Sequence, residues 1–496
     1  MPRLTTRRVV GRAVALAALI GTLTIAGCSG PTAAPASNLS PAATTLRNVL
    51  ATYPGGNTIG AEPREKSARS DGFHHIDTPT TIAQLKRLHV NTYVYLVWHA
   101  PSDWSDLTRE FLPAAHEARI KVWVYVVPPT ECSPERCSYP YKTDYVAWAK
   151  AVAEQSLRYP NLTGWVIDDF AGGTNLKLFT PVYVKSVHDT GVRINPKLLF
   201  MTLLYSPEIT QEFFSSYGSA IDAVVFAFDD APVHDTQWAA TLRPQLDSAL
   251  SLSSAAHKPL VLMGYVNRLT AAPLLPTARY ATEIVSTGLK YVHDGRLAGF
   301  VAYGTPLEEL PAESTERHAR TGLGRLSLGV NQYGPPTAAG RYAQAAQTVY
   351  VQSDGAHRLK FWHQNLKDEA KTSDFRRLQV LVDGKVVFDH DISGDAVGTW
   401  IQERVELDTV LAGRTTAQLA LRLIDTRRLS RVLSDVSVDD LQSTGFLITD
   451  PGFESTTAWE VSRSDGPFLP AIDVFDTQRP THVFNAIRDL YSVAAE

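Results

Sequence analysis

The chain has 496 residues, 44% of them apolar, 20% charged and 9% aromatic, with a formal net charge of -4. That length exceeds one ordinary domain and predicts two to three. So mild a charge excludes an electrostatic case for nucleic acid, or for an anionic membrane surface, as partner.

The first thirty residues read as a targeting segment. Arg3, Arg7, Arg8 and Arg12 form a basic head before an apolar run from Ala13 to Ala26, which leads into Gly27-Cys28. The run falls short of the ~20 residues of a membrane helix, and its flanks fit a signal peptide. Ile25-Ala26-Gly27-Cys28 resembles the lipobox of bacterial lipoproteins. The resemblance implies cleavage before Cys28, lipidation of its thiol, and an exported protein held on the outer face of the cell membrane by lipid alone. An ordinary secretory signal with a chance cysteine is the alternative, and Arg7-Arg8 also resembles a twin-arginine signal. Residues 29–50, rich in Ser, Pro, Ala and Thr, read as a flexible tether.

From about residue 70 to 308, short β-rich runs alternate with amphipathic segments. The runs are Gly72–Asp77, Asn91–His99, Lys121–Val127, Leu162–Asp169, Lys197–Tyr205, Ile221–Asp229, Pro259–Val266 and Leu297–Gly304. Helical patterns cover Thr81–Leu88, Leu107–Ala118, Tyr145–Leu157, Val182–Asp189, Trp238–Leu252 and Thr277–His293. This α/β alternation predicts a parallel sheet with helices outside, and eight units match a closed (β/α)8 TIM-type barrel over residues 51–310. A doubly wound open sheet is the alternative, disfavoured because no Gly-rich phosphate loop follows any strand. Cys132 and Cys137 share one predicted loop, Pro129–Tyr139. In an oxidising compartment they can close a small disulfide, whereas a metal pair would need further Cys or His ligands nearby.

Residues 311–339, rich in Pro, Gly, Thr and Arg, read as a linker. Strand-like alternation follows at Gln347–Gln352, Leu359–His363, Leu378–Val382, Val386–His390, Thr399–Leu407, Gln418–Ile424 and Val436–Leu441, with Asp383-Gly384 supplying a hairpin turn. Seven or more short strands predict an all-β sandwich over residues 340–496, ending in a helix at Val483–Val493 that packs on one domain or the other. Asp435-Val-Ser-Val-Asp-Asp-Leu441 resembles the last strand of jelly-roll carbohydrate-binding modules, and Asp450-Pro-Gly-Phe-Glu454 resembles the segment that opens them, here displaced towards the end. Phe361, Trp362, His363 and Trp400 are candidate sugar contacts, with core packing as the alternative.

Active sites of closed barrels stand at the C-terminal ends of the strands. There the fourth run ends in Asp168-Asp169 and the sixth in Asp229-Asp230. Carboxylates closing an apolar strand are costly unless solvated, paired or functional. Two pairs on strands two apart would supply the two carboxyl groups of glycoside hydrolysis, although Asp229-Asp230 before Ala-Pro also fits a plain cap or turn. Alternation points one member of each pair into the barrel and the other towards the rim. His74, His75, Asp77, Trp98, His99, Tyr205, Tyr265, Asn267 and Tyr303 stand at the other strand ends and suit stacking on, and hydrogen bonding to, a sugar. His74, His75 and Asp77 have no well-spaced further ligand, so no metal or other cofactor is expected.

These motifs resemble the barrel glycoside hydrolases over roughly residues 55–310. In clan-D-type α-glycosidases an Asp after strand four attacks and an Asp after strand six protonates, which implies Asp168 or Asp169 and Asp229 or Asp230. The β-N-acetylglucosaminidases of family 84 carry an Asp-Asp pair after strand four, which implies that Asp168 orients the acetamido group and Asp169 is the acid/base. Strand seven lacks the Glu nucleophile of common clan-A glycosidases. Phe228-Asp229-Asp230 is also reminiscent of polysaccharide deacetylases, but the His-x3-His metal ligands of that class are absent. The expectation is a hydrolase of cell-envelope or environmental glycans, with polysaccharide or oligosaccharide as partner. A non-catalytic saccharide-binding or wall-scaffold lipoprotein is the alternative.

Overall fold

The computed structural model describes residues 41–495 except 57–59, 232–233, 238, 240, 270–271, 273, 309–317, 331–335, 354, 369–372 and 429–433. Cys28, the expected signal peptide and residues 29–40 of the expected tether lie outside the described residues.

Eight parallel strands close a barrel in chain order: β1 (Val49–Tyr53), β2 (Thr92–Val97), β3 (Lys121–Val126), β4 (Leu162–Ile167), β5 (Leu199–Tyr205), β6 (Ala223–Phe228), β7 (Leu260–Tyr265) and β8 (Gly299–Tyr303). Their near-continuous apolar runs are buried on both faces, as helix-covered parallel strands require. Alternation divides the side chains: Trp123 and Tyr125 of β3 fill the lumen, while Val122, Val124 and Val126 meet the helices. Gly164 of β4 leaves room for the crowded lumen, since a Cβ there would stand 2.9 Å from the Met201 Cε and 3.4 Å from the Trp123 Cδ1.

The first strand differs from the expected one. Gly72–Asp77 is mostly loop, with an isolated Arg64–Ile76 bridge, and β1 is Val49–Tyr53. Before it a helical turn, α1 (Pro41–Thr45), packs Ala42, with Leu46 just after, into the base of the lumen, so residues 41–53 belong to the fold and not to a tether. β1 has five residues, and its pairing with β8 joins Val49 to Gly299 and Tyr53 to Tyr303. Partners so distant in sequence leave no local periodicity to read.

Outside the strands run α2 (Thr78–Arg87), α3 (Asp103–Asp106), which continues through a π turn (Leu107–Phe111) into α4 (Leu112–Glu117), α5 (Tyr145–Arg158), α6 (Pro181–Ile194), α7 (Gln211–Tyr217), α8 (Leu242–Ala255) and α9 (Ala278–His293). Asp144, Thr180, Thr210 and Thr277 start α5, α6, α7 and α9 by accepting a backbone N–H of the first turn.

The C-terminal half of the chain forms two antiparallel sheets around a shared core that includes Leu326, Phe361, Leu378 and Leu421. Its strands are β9 (Gly324–Val330), β10 (Tyr342–Val351), β11 (Arg358–Asp368), β12 (Arg376–Val382), β13 (Lys385–Asp391), β14 (Trp400–Glu406), β15 (Thr416–Asp425), β16 (Ser434–Thr444), β17 (Phe446–Leu447), β18 (Glu460–Arg463) and β19 (Phe468–Val474), with a short α10 (Asp408–Leu411). One sheet runs β13-β12-β15-β10, with β17 and β18 pairing β10; the other runs β14-β11-β16-β9-β19. β9 lies inside the expected linker 311–339. Its Arg325, which composition counts as a solvated residue, is buried between Asp435 and Asp473, each 2.9 Å away. The displaced Asp450–Glu454 segment turns the chain into β18 and β19, which complete both sheets from the C-terminal side, and the Phe453 ring packs at a tilt against Trp459.

The last helix, α11 (Arg479–Ala495), lies on the barrel. Val483, Phe484, Ile487 and Tyr491 join the shell between strands and helices, and the Tyr491 hydroxyl donates to the Ala51 carbonyl of β1 at 2.8 Å.

Candidate active site

The C-terminal ends of the barrel strands surround a cavity of about 490 Å3 lined by Trp98, Glu131, Asp168, Asp169, Tyr205, Asp229, His234, Tyr265 and Tyr303, with Gly56, Gly172, Leu203 and Leu269 between them. A second cavity, about 260 Å3, lies between barrel and sandwich and, among the described residues, is lined by one carboxylate, Asp235, and no aromatic side chain. The chemistry therefore concentrates at the barrel mouth.

Asp168 directly follows β4, and its Oδ1 accepts from the Tyr125 hydroxyl at 2.7 Å and from the Asp169 N–H at 2.9 Å. Asp169 has φ +36, a left-handed backbone that a non-glycine residue adopts only when its surroundings impose it. This turn is why both carboxylates line the cavity, where strict alternation would send one towards the rim. The Asn175 side chain fastens the turn by donating to the Asp169 carbonyl at 2.8 Å. Across the cavity, the Asp229 carboxylate lies 3.2 Å from the His234 Nδ1, and its Oδ1 accepts from the Ala231 N–H at 3.1 Å.

Asp230, at φ +55, turns out of the cavity and accepts from the Thr241 hydroxyl and from the Asp235 N–H. Trp98, Tyr205, Tyr265 and Tyr303 line the cavity, with the Tyr205 and Tyr265 hydroxyls 3.1 Å apart. His99 stands behind this wall, 2.6 Å from Glu62 and 3.0 Å from the Gly56 carbonyl. His74, His75 and Asp77 lie elsewhere, because the segment that holds them is not a barrel strand. The His74 Nδ1 meets the Glu65 carbonyl, His75 bridges Asp71 and Asp106, and Asp77 caps α2. Asn267 is buried outside the lining, its carbonyl facing Arg479 of α11 at 3.3 Å. In the sandwich, Phe361 and His363 are buried, Trp362 lies 3.9 Å beneath the Arg320 guanidinium, and Trp400 is half-buried on an edge strand.

Glu131 completes the carboxyl cluster and is not among the residues to which the strand ends point. It carries the same signal as the Asp pairs, an acidic residue in the loop after a strand, but in that loop the two cysteines are the stronger feature. Cys132 and Cys137 do form the disulfide, which closes the loop directly after Glu131 and encloses Arg136. The Trp98 Nε1 donates to the Glu131 carbonyl at 3.2 Å, and the Arg136 guanidinium covers the Trp98 ring at 3.5 Å. Gly56 fits against the same ring, since a Cβ there would stand 2.4 Å from the indole.

Crowding these carboxyls in a half-dry cavity favours their protonated forms. Burial, then the charges of Asp169 and Glu131, pushes Asp168 far above the usual range. Burial and the charge of Asp229 raise Asp169 against the opposing hydrogen bond from Tyr205. Burial and Asp169 push Glu131 up to about 7, and burial does the same for Glu208 behind the cavity. The cluster thus carries both proton donors and acceptors near neutral pH.

No protein-family model matches the chain, and no curated protein matches its sequence. Among solved structures, the chain is similar to a glucosidase from Croceicoccus marinus, with 10% identity and a TM-score of 0.35 over 76% of this chain and 99% of that one. It is similar to an α-L-arabinofuranosidase from Thermotoga maritima, with 10% identity and a TM-score of 0.36 over 80% and 97%. A β-glucuronidase from Bacteroides uniformis aligns at 8% identity and a TM-score of 0.36 over 73% and 62%.

Proposed function

We propose that the barrel hydrolyses glycosidic bonds. The observation that carries this is the lining of one cavity by four carboxyls, Glu131, Asp168, Asp169 and Asp229, among four aromatic side chains, Trp98, Tyr205, Tyr265 and Tyr303. Glycoside hydrolysis asks for a protonated carboxyl beside the leaving oxygen and a second carboxylate at the anomeric carbon, and aromatic faces bind the apolar faces of sugar rings.

Asp168 and Asp169 retain one proton between them, because two adjacent carboxylates do not both ionise readily in a dry site. Asp168, the more strongly raised of the two, delivers that proton to the glycosidic oxygen as the C1–O bond breaks. Two donors hold its Oδ1, which leaves Oδ2 to carry the proton, while the Asp169 carboxylate faces the developing positive charge at C1. Water then adds at C1, and its proton returns to Asp168. The lipobox-like tetrad at Cys28 supports an exported, lipid-anchored enzyme that meets glycan outside the cell.

Purified protein, with Asp168→Asn, Asp169→Asn and Asp230→Asn variants, is incubated with bacterial envelope polysaccharides and aryl glycosides. New reducing ends or released chromophore are measured. The two strand-four variants should lose about 10²–10⁴-fold in turnover. Asp230→Asn should lose far less, since Asp230 faces away from the cavity. Glycans that bind wild type and variants equally and are never cut would sink the hydrolase and leave a binding protein.

A further inference from the structure

Outside the barrel, the described residues include one cluster of His and carboxylate side chains drawn together closely enough to share an ion: His363, His390 and Asp395, whose ligand atoms all lie within 4.8 Å of one another. They stand at the open edge of the sandwich. His363 is on β11 and faces the core with Phe361, which lies opposite Glu403 of the edge strand β14. His390 is on β13, the edge strand of the other sheet, opposite the core residue Leu378. Asp395 lies in the crossing from β13 to β14. The cluster therefore joins the inner faces of both sheets.

Two polar atoms here are buried without a hydrogen-bond partner, the His363 Nδ1 and the Asp395 Oδ2. They face each other at 3.6 Å, beyond a good hydrogen bond. The His363 side chain is fully buried and that of Asp395 is 6% exposed, so water does not offset the loss from outside. The His390 Nε2 stands 2.9 Å from the Asp395 Oδ1. Ligands on one tetrahedral ion, each about 2.0–2.1 Å from it, stand about 3.3 Å apart, close to both separations. The far nitrogen of His363, Nε2, lies 3.3 Å from the Glu403 carboxylate. That is how ligating histidines are held: one N–H donates to a carboxylate, and the other nitrogen turns its lone pair to the metal.

We propose that His363, His390 and Asp395 bind one late first-row divalent cation of the zinc type, with Glu403 orienting His363, so that the ion staples the two sheets at their open edge. Two imidazoles and one carboxylate favour such an ion over Ca2+ or Mg2+, which take oxygen ligands. The site is remote in kind from the barrel chemistry and does not depend on it.

The test uses the full chain, stripped with a chelator and titrated with Co2+ as a coloured probe and then with Zn2+. Wild type should take up one ion per chain, Zn2+ should displace Co2+, and Zn2+ should raise the thermal midpoint. His390→Gln, whose side chain is 30% exposed and so tolerant of change, and Asp395→Asn should each weaken uptake at least 100-fold. Glu403→Gln should weaken it about 10–100-fold. Equal uptake by wild type and by His390→Gln or Asp395→Asn would place the ion elsewhere and overturn the site. Should either variant fail to fold, wild type decides: without a stoichiometric ion, or without a rise in midpoint on adding Zn2+, the proposal falls.

Discussion

Glu131 links the chemistry of the cavity to the stability of the fold. Burial, then Asp169, lifts its carboxyl from the usual 4.5 to about 7 in the folded protein. The folded state therefore holds this proton more tightly than the unfolded chain does. The stability it contributes is complete below about 4.5 and is lost as pH rises to about 7. Glu131→Gln should match wild type at acid pH and exceed it above neutrality by up to about 3 kcal/mol, as read from urea midpoints at both ends of that window. Equal pH dependence in the two proteins would show that Glu131 is more solvated than the cavity implies. At this scale the Asp168-Asp169 pair was legible, since acidic residues closing an apolar strand stand out. That both face the cavity was not legible, because it depends on the left-handed backbone of Asp169.

Single elements show where local pattern fails. Seven of the eight barrel strands announce themselves as β-branched and aromatic runs, and the eighth, β1, is identified by its partners. Its correct placement makes a prediction about α1. Leu46 is fully buried at the base of the lumen, so Leu46→Ala should cost about 2–5 kcal/mol in the unfolding free energy. A residue in a free tether would cost nothing measurable. The same reasoning applies to β9, whose buried Arg325 pairs with Asp435 and Asp473 across two neighbouring strands. Charge in a sequence window argues for solvent, whereas tertiary pairing can bury it. α7, which has seven residues and starts on the Thr210 cap, is too short to show a helical period.

The whole molecule is closed by its last helix. α11 buries Val483, Phe484, Ile487 and Tyr491 against the barrel, beyond the sandwich that precedes it in the chain. Each such side chain is worth roughly 1.5–3 kcal/mol when buried, so the four together rival the net stability of an ordinary domain, about 5–15 kcal/mol. Ending the chain before Arg479 should abolish cooperative thermal unfolding of the barrel or lower its midpoint steeply. A midpoint within a few degrees of wild type would show that the barrel stands without it.

Properties that repeat locally are legible in the chain without its fold. Strand–helix alternation gave a closed barrel, short alternating strands gave an all-β sandwich, and carboxylates at strand ends marked the mouth. Each follows from side-chain period and from the cost of leaving charge beside an apolar run. Which carboxyls meet depends on the folded chain. It added Glu131 to the cavity, turned Asp230 and Asn267 out of its lining, and sent His74, His75 and Asp77 to a loop that is not a barrel strand. It also brought His363, His390 and Asp395 together from two sheets. The physical reason is the same in each case: these neighbours are set by pairing and packing between segments far apart in the chain, and by single backbone angles that no local pattern encodes.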